Sequence, residues 1–144
     1  MADGLKIIRN FDAPRERVFA AWTAPADFST WFGSDAVEVP LDSLSLDAQA
    51  GRTWTALMKL PDGNTMNWGG EFNEVTPPNR LVFTITDNPS EPARELITVD
   101  LEDTGAGTKM TMTQTGGNLT EEQYAQTVVG YNAFFDTMER LVTS

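Results

Sequence analysis

The sequence contains neither cysteine nor histidine. Without cysteine it forms no disulfide and offers no thiolate as a nucleophile or metal ligand. Without histidine it lacks the usual general base near neutral pH and the commonest zinc ligand. Ser-His-Asp and Cys-His catalysis are therefore excluded. No Asp-x-Asp-x-Asp-Gly calcium loop is present either, so we expect no metal and no cofactor.

Long apolar runs and basic clusters are also missing. No run approaches the roughly 20 apolar residues of a membrane helix, so we expect no membrane insertion. Met1-Ala2-Asp3-Gly4 lacks the basic and apolar segments of a secretion signal, which favours a cytoplasmic location. The 10 basic residues are spread along the chain against 21 acidic ones, giving a net charge of −11. This balance argues against nucleic-acid binding, which needs clustered cations.

What the chain does contain is ordinary globular composition. Its 144 residues are 40% hydrophobic and 22% charged, which fits one domain with one core. No repeat, low-complexity tract or linker divides it. We therefore expect a single domain over residues 1–144.

The N-terminal third predicts a strand followed by two short helices. Residues 5–11 are β-rich. Asp12-Ala13-Pro14 predicts a helix start, with the aspartate as cap and the proline in the first helical position. A second helix is predicted from Pro25 to a stop at Gly33. The apolar faces of the two helices consist of Val18, Phe19, Trp22, Phe28, Trp31 and Phe32.

The middle of the chain predicts six antiparallel strands, because apolar alternation is interrupted by evenly spaced turns. The first includes Val37, Val39 and Leu41 and continues to Leu46 after a kink near Pro40. The others cover residues 53–60, 67–75, 81–86, 95–102 and 109–115. In the strand over 95–102, the inward positions are Ile97, Val99 and Leu101.

The C-terminal segment predicts a long amphipathic helix. Thr120-Glu121-Glu122-Gln123 matches a capping box, with Leu119 and Tyr124 placed as a hydrophobic staple. An apolar stripe at helical spacing then runs through Tyr124, Val128, Tyr131, Phe135, Met138 and Val142. Gly130 interrupts this helix at a cost near 1 kcal/mol, which predicts close approach of a neighbouring backbone.

The predicted architecture is α+β: a curved antiparallel sheet of about seven strands, with two short helices after strand 1, wrapped around a long C-terminal helix. This order resembles the helix-grip fold of the START and Bet v-like superfamily, also called SRPBCC. Within it, the chain resembles the branch named after the activator of heat-shock-protein-90 ATPase. The similar stretches are Ala20-Ala21-Trp22-Thr23-Ala24-Pro25, Trp31-Phe32-Gly33, Gly70-Glu71-Phe72-Asn73-Glu74-Val75, Pro77-Pro78-Asn79-Arg80-Leu81-Val82-Phe83-Thr84 and Gly107-Thr108-Lys109-Met110-Thr111-Met112-Thr113.

The resemblance runs from about Leu5 to Leu141 and implies a cavity between the concave sheet face and the long helix. It does not imply one activity, because related domains bind lipids, hormones or polyketides and some catalyse cyclisation or dehydration. It also implies a possible chaperone partner. The eukaryotic activators carry an additional N-terminal domain with no counterpart here, which argues against that role.

Strand parity and the helical stripe predict the residues that face this cavity. The candidate ligand contacts are Trp54, Met58, Met66, Trp68, Phe72, Phe83, Met110, Met112, Gln114, Tyr131, Phe134, Phe135 and Met138, with Ile97 on the same face. Adaptable methionines and aromatics are typical of small-ligand sites. Gln114 and the Tyr131 hydroxyl are the candidates for orienting a ligand's polar end. The alternative is that all of these side chains simply pack as core.

Three functions stay open from the sequence. The first is binding of a small hydrophobic ligand, either lipid-like or an aromatic metabolite. The second is regulation of a chaperone ATPase, and the third is a cyclase- or dehydratase-like activity. For catalysis, parity places Glu71, Asn73, Asp100 and Lys109 toward solvent. This leaves Tyr131, or a wrongly assigned Glu71 or Glu74, as an acid–base group.

Overall fold

The computed structural model describes residues 4–32, 38–88, 90 and 92–143. The predictions made for Gly33 and Val37, for residues 1–3 and for part of the turn-rich loop over 87–92 lie outside these ranges. The elements are β1 (Gly4–Phe11), α1 (Arg15–Thr23), α2 (Pro25–Trp31), β2 (Ser45–Leu46), β3 (Thr53–Lys59), β4 (Thr65–Thr76), β5 (Arg80–Ile85), β6 (Glu95–Asp103), β7 (Thr108–Thr115) and α3 (Glu121–Thr143).

The seven strands form one antiparallel sheet in the order β1-β7-β6-β5-β4-β3-β2. Each strand from β2 to β7 pairs with its neighbour in sequence. Strand β1 lies at the other edge of the sheet from β2 and pairs with β7. A bulge lies in β4 between Phe72 and Glu74. Together with the long C-terminal helix, this sheet confirms the predicted α+β helix-grip fold.

The predicted strand before residue 46 is wrong for most of its length. Glu38 makes an isolated bridge with Lys59, Leu41–Ser43 is a 3₁₀ turn, and β2 covers only two residues. The reason lies at Pro40, whose carbonyl oxygen accepts hydrogen bonds from both the Ser43 amide (3.1 Å) and the Ser43 hydroxyl (2.6 Å). These local bonds close a turn instead of continuing a ladder.

The first helix begins later than predicted. Helix α1 starts at Arg15, with Pro14 at the N-cap position and no side-chain cap. The Pro14 carbonyl oxygen accepts the first amide bonds, from Arg17 and Val18. The assignment of Asp12 as the cap was therefore wrong.

The capping box of α3 is confirmed. The Gln123 amide donates to the Thr120 hydroxyl (3.1 Å), and the Thr120 amide donates to the Gln123 side-chain oxygen (2.8 Å). Arg9 of β1 holds the other half of the helix, donating to Glu139 (3.0 Å) and to the carbonyl oxygen of Asn132 (3.3 Å). Within the described ranges, no helix combines the length and apolarity needed to cross a bilayer.

The core under the C-terminal half of α3 is filled by aromatic rings and methionines. Trp22 lies between Trp31 (4.8 Å between ring centroids) and Phe135 (5.9 Å), and Trp54 packs on Phe83 (6.0 Å). The methionines at positions 110, 112 and 138 are fully buried. This half of the interior is closely packed.

The capping box gives a stability prediction. We expect Thr120→Ala to lower the free energy of unfolding by about 1 kcal/mol, because the Gln123 amide loses its acceptor. Thr120→Ser keeps the hydroxyl and is the matched control. Urea unfolding measures both. Equal stabilities for the alanine and serine variants would contradict the capping role.

Candidate ligand-binding cavity

A cavity of about 610 Å³ lies beside the N-terminal half of α3. The helix forms one side of it, the ends of β5 and β7 and the start of β6 form the other, and the end of α2 reaches it at Phe32. Its apolar lining consists of Phe32, Trp68, Ile85, Ala93, Leu119, Tyr131 and Phe134.

Aromatic rings form a continuous part of this lining. Phe32 meets Trp68 edge-on at 5.5 Å between centroids and Phe134 at 5.6 Å. Phe134 in turn contacts Tyr131 at 5.9 Å. The buried indole N–H of Trp68 has no hydrogen-bond partner among the described residues. Unpaired buried donors are uncommon, and the indole N–H of Trp22 in the packed core is the other one among the described residues.

The polar part of the lining centres on Glu95, whose side chain is buried (7% exposed). Its Oε1 accepts hydrogen bonds from the Tyr124 hydroxyl (2.6 Å) and the Gln114 amide (3.3 Å). Its Oε2 accepts two from Asn118, through the side-chain amide (2.6 Å) and the backbone amide (3.3 Å). Four donors on one carboxylate replace the water that burial removes.

Glu95 also fixes the orientation of Gln114 and Tyr131. An ionised carboxylate only accepts, so the Gln114 NH₂ group must face Glu95 and its carbonyl oxygen must point away. That oxygen accepts a 2.9 Å bond from the Tyr131 hydroxyl. The two residues expected to orient a ligand are thus bonded to each other and held in place by a third.

Both tyrosines are perturbed by this environment. Burial, together with the negative charge of Glu95, raises the pKa of Tyr131 above its usual value. Burial and the hydrogen bond to Glu95 also raise the pKa of Tyr124. Since a base needs its pKa lowered from about 10 toward neutrality, Tyr131 is unsuited to remove a proton.

The turn after β7 is built for this carboxylate. Gly116 has a φ of +151°, and a Cβ atom there would collide with Oε2 of Glu95. Gly117 follows with a φ of +70° and donates its amide to the Tyr124 hydroxyl (3.0 Å). Two glycines are therefore required where the chain turns past Glu95.

Gly130 has a different role from the one predicted. Apart from its chain neighbours and the helix's own backbone, no heavy atom lies within 4 Å of a Cβ atom built on it, and it lines the cavity. The expectation that a neighbouring backbone approaches it closely was wrong. The missing side chain instead leaves open space at the helix surface.

The structure divides the predicted ligand contacts into two groups. Four of them line the cavity: Trp68, Gln114, Tyr131 and Phe134. The other nine are outside its lining. Met66 is half-buried against the core, and the rest are buried in the core: Trp54, Met58, Phe72, Phe83, Met110, Met112, Phe135 and Met138. Their role as ligand contacts stays a prediction.

Sequence reasoning missed the centre of the polar cluster. Glu95 shares the strand parity of Ile97, Val99 and Leu101, all buried, so the alternation that placed those three inward also pointed to it. Phe32, Asn118 and Leu119 gave no comparable indication, because they reach the cavity from a helix end and a turn. Glu71 is exposed, as parity predicted, and Glu74 is exposed as well, after the bulge in β4.

Within the described residues, no group of three or more acidic side chains is placed to hold a metal ion. The cavity instead joins aromatic faces to one hydrogen-bonded carboxylate. This arrangement suits recognition of a small molecule that has both an apolar body and a polar end.

Solved structures share this architecture. A protein of Chromobacterium violaceum superposes with a TM-score of 0.87 at 19% identity, covering 100% of this chain and 99% of the other. The AHSA1 protein of Silicibacter pomeroyi gives 0.84 at 20% identity, with 97% of each chain covered. A protein of Nitrosomonas europaea gives 0.83 at 22% identity, covering 98% of this chain and 94% of the other. At such identities the likeness establishes the fold.

The sheet wrapped around α3 defines a helix-grip protein of the SRPBCC class. The family model described as "Activator of Hsp90 ATPase homolog 1-like protein" matches residues 12–143, and the chain belongs to this family. No curated protein sequence matches the chain.

The two tyrosines, the only ones in the sequence, give a spectroscopic prediction. Because both pKa values are raised on folding, the native phenols should stay protonated at about pH 10, where those of the unfolded chain ionise. The stability they contribute is complete below that pH and is lost as pH rises above it. Phenolate absorbance, with and without urea, measures this difference.

Tyr131→Phe isolates Tyr124 in the same titration and is the matched variant. We expect its native form to keep the remaining phenol protonated through the range in which its urea-unfolded form ionises. Native ionisation at about pH 10, equal to that in urea, would contradict the buried network.

Proposed function

We propose that this chain binds a small, mainly apolar molecule, either lipid-like or an aromatic metabolite, in the cavity beside the N-terminal half of α3. The observation that carries this proposal is the cavity itself, about 610 Å³ in volume and lined by seven apolar side chains together with polar ones that include Glu95 and Gln114. Pockets for small ligands are typically about 300–1,000 Å³, apolar and equipped with a few placed polar groups.

The lining supports a ligand with distinct ends. The rings of Phe32, Trp68 and Phe134 supply apolar lining for its body. In the same lining, Gln114 and Tyr131 are pre-oriented by Glu95, so binding does not require ordering them. Pre-organised polar groups reduce the entropy cost of association.

The chemistry of the lining favours binding over catalysis. Tyr131 holds its proton more tightly than a free tyrosine, and both carboxylate oxygens of Glu95 already accept hydrogen bonds. A cyclase- or dehydratase-like reaction would need one of these groups to exchange a proton with the ligand.

Gly130 offers a direct test of the site. A side chain at this position enters the open space beside the helix, so Gly130→Leu should fill part of the cavity while removing a helix-destabilising glycine. In thermal unfolding, a panel of fatty acids, sterols and polycyclic aromatics should contain ligands that raise the melting temperature of the unaltered protein. The same ligands should give little or no shift with Gly130→Leu.

Ala133→Leu provides the matched control, because Ala133 is exposed on the same helix and outside the cavity lining. Its ligand response should equal that of the unaltered protein. No shift across the panel, or equal shifts for Gly130→Leu and Ala133→Leu, would contradict binding at this site.

Regulation of a chaperone ATPase is the second candidate, and the family description favours it. It is tested by titrating the chain against a purified Hsp90-type ATPase. A binding role alone predicts a flat response. Stimulation that survives Gly130→Leu would support a regulatory surface separate from the cavity.

A further inference from the structure

We propose that the cavity selects molecules carrying an ammonium group on an aromatic body, and that Glu95 determines this specificity. The inference rests on the proposed binding function, and it adds that the preferred ligand is positively charged. Its basis is a buried carboxylate in the cavity lining together with an aromatic wall.

All four hydrogen-bond donors to Glu95 are neutral groups of Tyr124, Gln114 and Asn118. They satisfy the lone pairs but leave the negative charge in place. Other carboxylates of the chain have arginine partners, as Asp27 has Arg17 (2.7 Å) and Asp100 has Arg80 (2.7 Å). No ion pair joins Glu95 to a lysine or arginine of the described residues.

The remaining charges on the lining do not reverse this sign. Asp87 and Arg94 also border the cavity, and their formal charges are opposite. Glu95 thus gives the lining a net negative charge, in a site where apolar walls weaken screening. The raised pKa of Tyr131 has the charge of Glu95 as one of its causes, so this charge acts at a second side chain that lines the cavity.

The aromatic wall adds attraction of the same sign. Ring faces carry negative electrostatic potential and attract ammonium groups within about 6 Å of the centroid. Phe32, Trp68 and Phe134 supply such rings in the lining that also contains the carboxylate. A carboxylate ligand would be repelled by Glu95 and gain nothing from these faces.

Three probes with the same indolylethyl body test the charge preference: tryptamine, tryptophol and indolepropionate. They present an ammonium, a hydroxyl and a carboxylate at the end of the same chain. Calorimetric titration of the unaltered protein should rank tryptamine tightest by about tenfold over tryptophol. Indolepropionate should bind weaker than tryptophol.

Two variants separate local charge from overall charge. Glu95→Gln keeps the size of the side chain and should reduce the preference for tryptamine over tryptophol to about twofold or less. Glu102→Gln removes the same formal charge from an exposed position on the same strand and should leave the preference unchanged. Because Glu95→Gln also disturbs four hydrogen bonds, the ranking in the unaltered protein is the primary result.

Equal affinities for the three probes, or tightest binding of indolepropionate, would overturn the charge preference while the cavity proposal stands. A preference for tryptamine that survives Glu95→Gln would overturn the role of Glu95. If no probe binds and the unaltered protein also shows no shift across the thermal panel, both proposals fail together.

Discussion

Four hydrogen bonds to the buried carboxylate of Glu95 hold the sheet and helix α3 together at one end of the interior. The donors come from β7, from the turn after it and from α3, so β6 is joined to all three through one side chain. Leaving a buried charge without these partners costs several kcal/mol. The cluster therefore has to assemble as a unit, and the N-terminal half of α3 is positioned by polar contacts rather than by apolar packing alone.

Helix α3 consequently has two halves with different environments. Toward its C-terminus, Phe135 and Met138 are fully buried against the aromatic core. Toward its N-terminus, Thr127 and Gly130 line the cavity, and a Cβ atom at Gly130 would meet open space. The closely packed core beside the C-terminal half of α3 makes that part of the molecule rigid. A ligand site beside a rigid core needs little reorganisation on binding.

Most of the fold could be predicted from the sequence, because periodicity reports which face of an element is buried. The capping box at Thr120 and the alternation in β6 and β7 were sufficient for α3 and the central strands. The predicted contacts at the methionines lie outside the lining of this cavity, since parity separates inward from outward positions but cannot tell packed inward positions from unpacked ones. Glu95 was missed because a charged residue is not expected at an inward position, even where the alternation places it there. The role of Gly130 was missed because residue spacing does not show where the interior is unfilled.

The location of the site is tested most directly by the indole N–H resonances of the four tryptophans in nitrogen-15-labelled protein. Trp31 and Trp54 donate to backbone carbonyl oxygens in the core (2.6 and 3.0 Å), whereas Trp68 lines the cavity with its N–H unpartnered among the described residues. Addition of a ligand found in the thermal panel should move the Trp68 resonance most and leave those of Trp31 and Trp54 in place. Equal movement of all the resonances, or movement of Trp31 and Trp54 without Trp68, would contradict binding in this cavity.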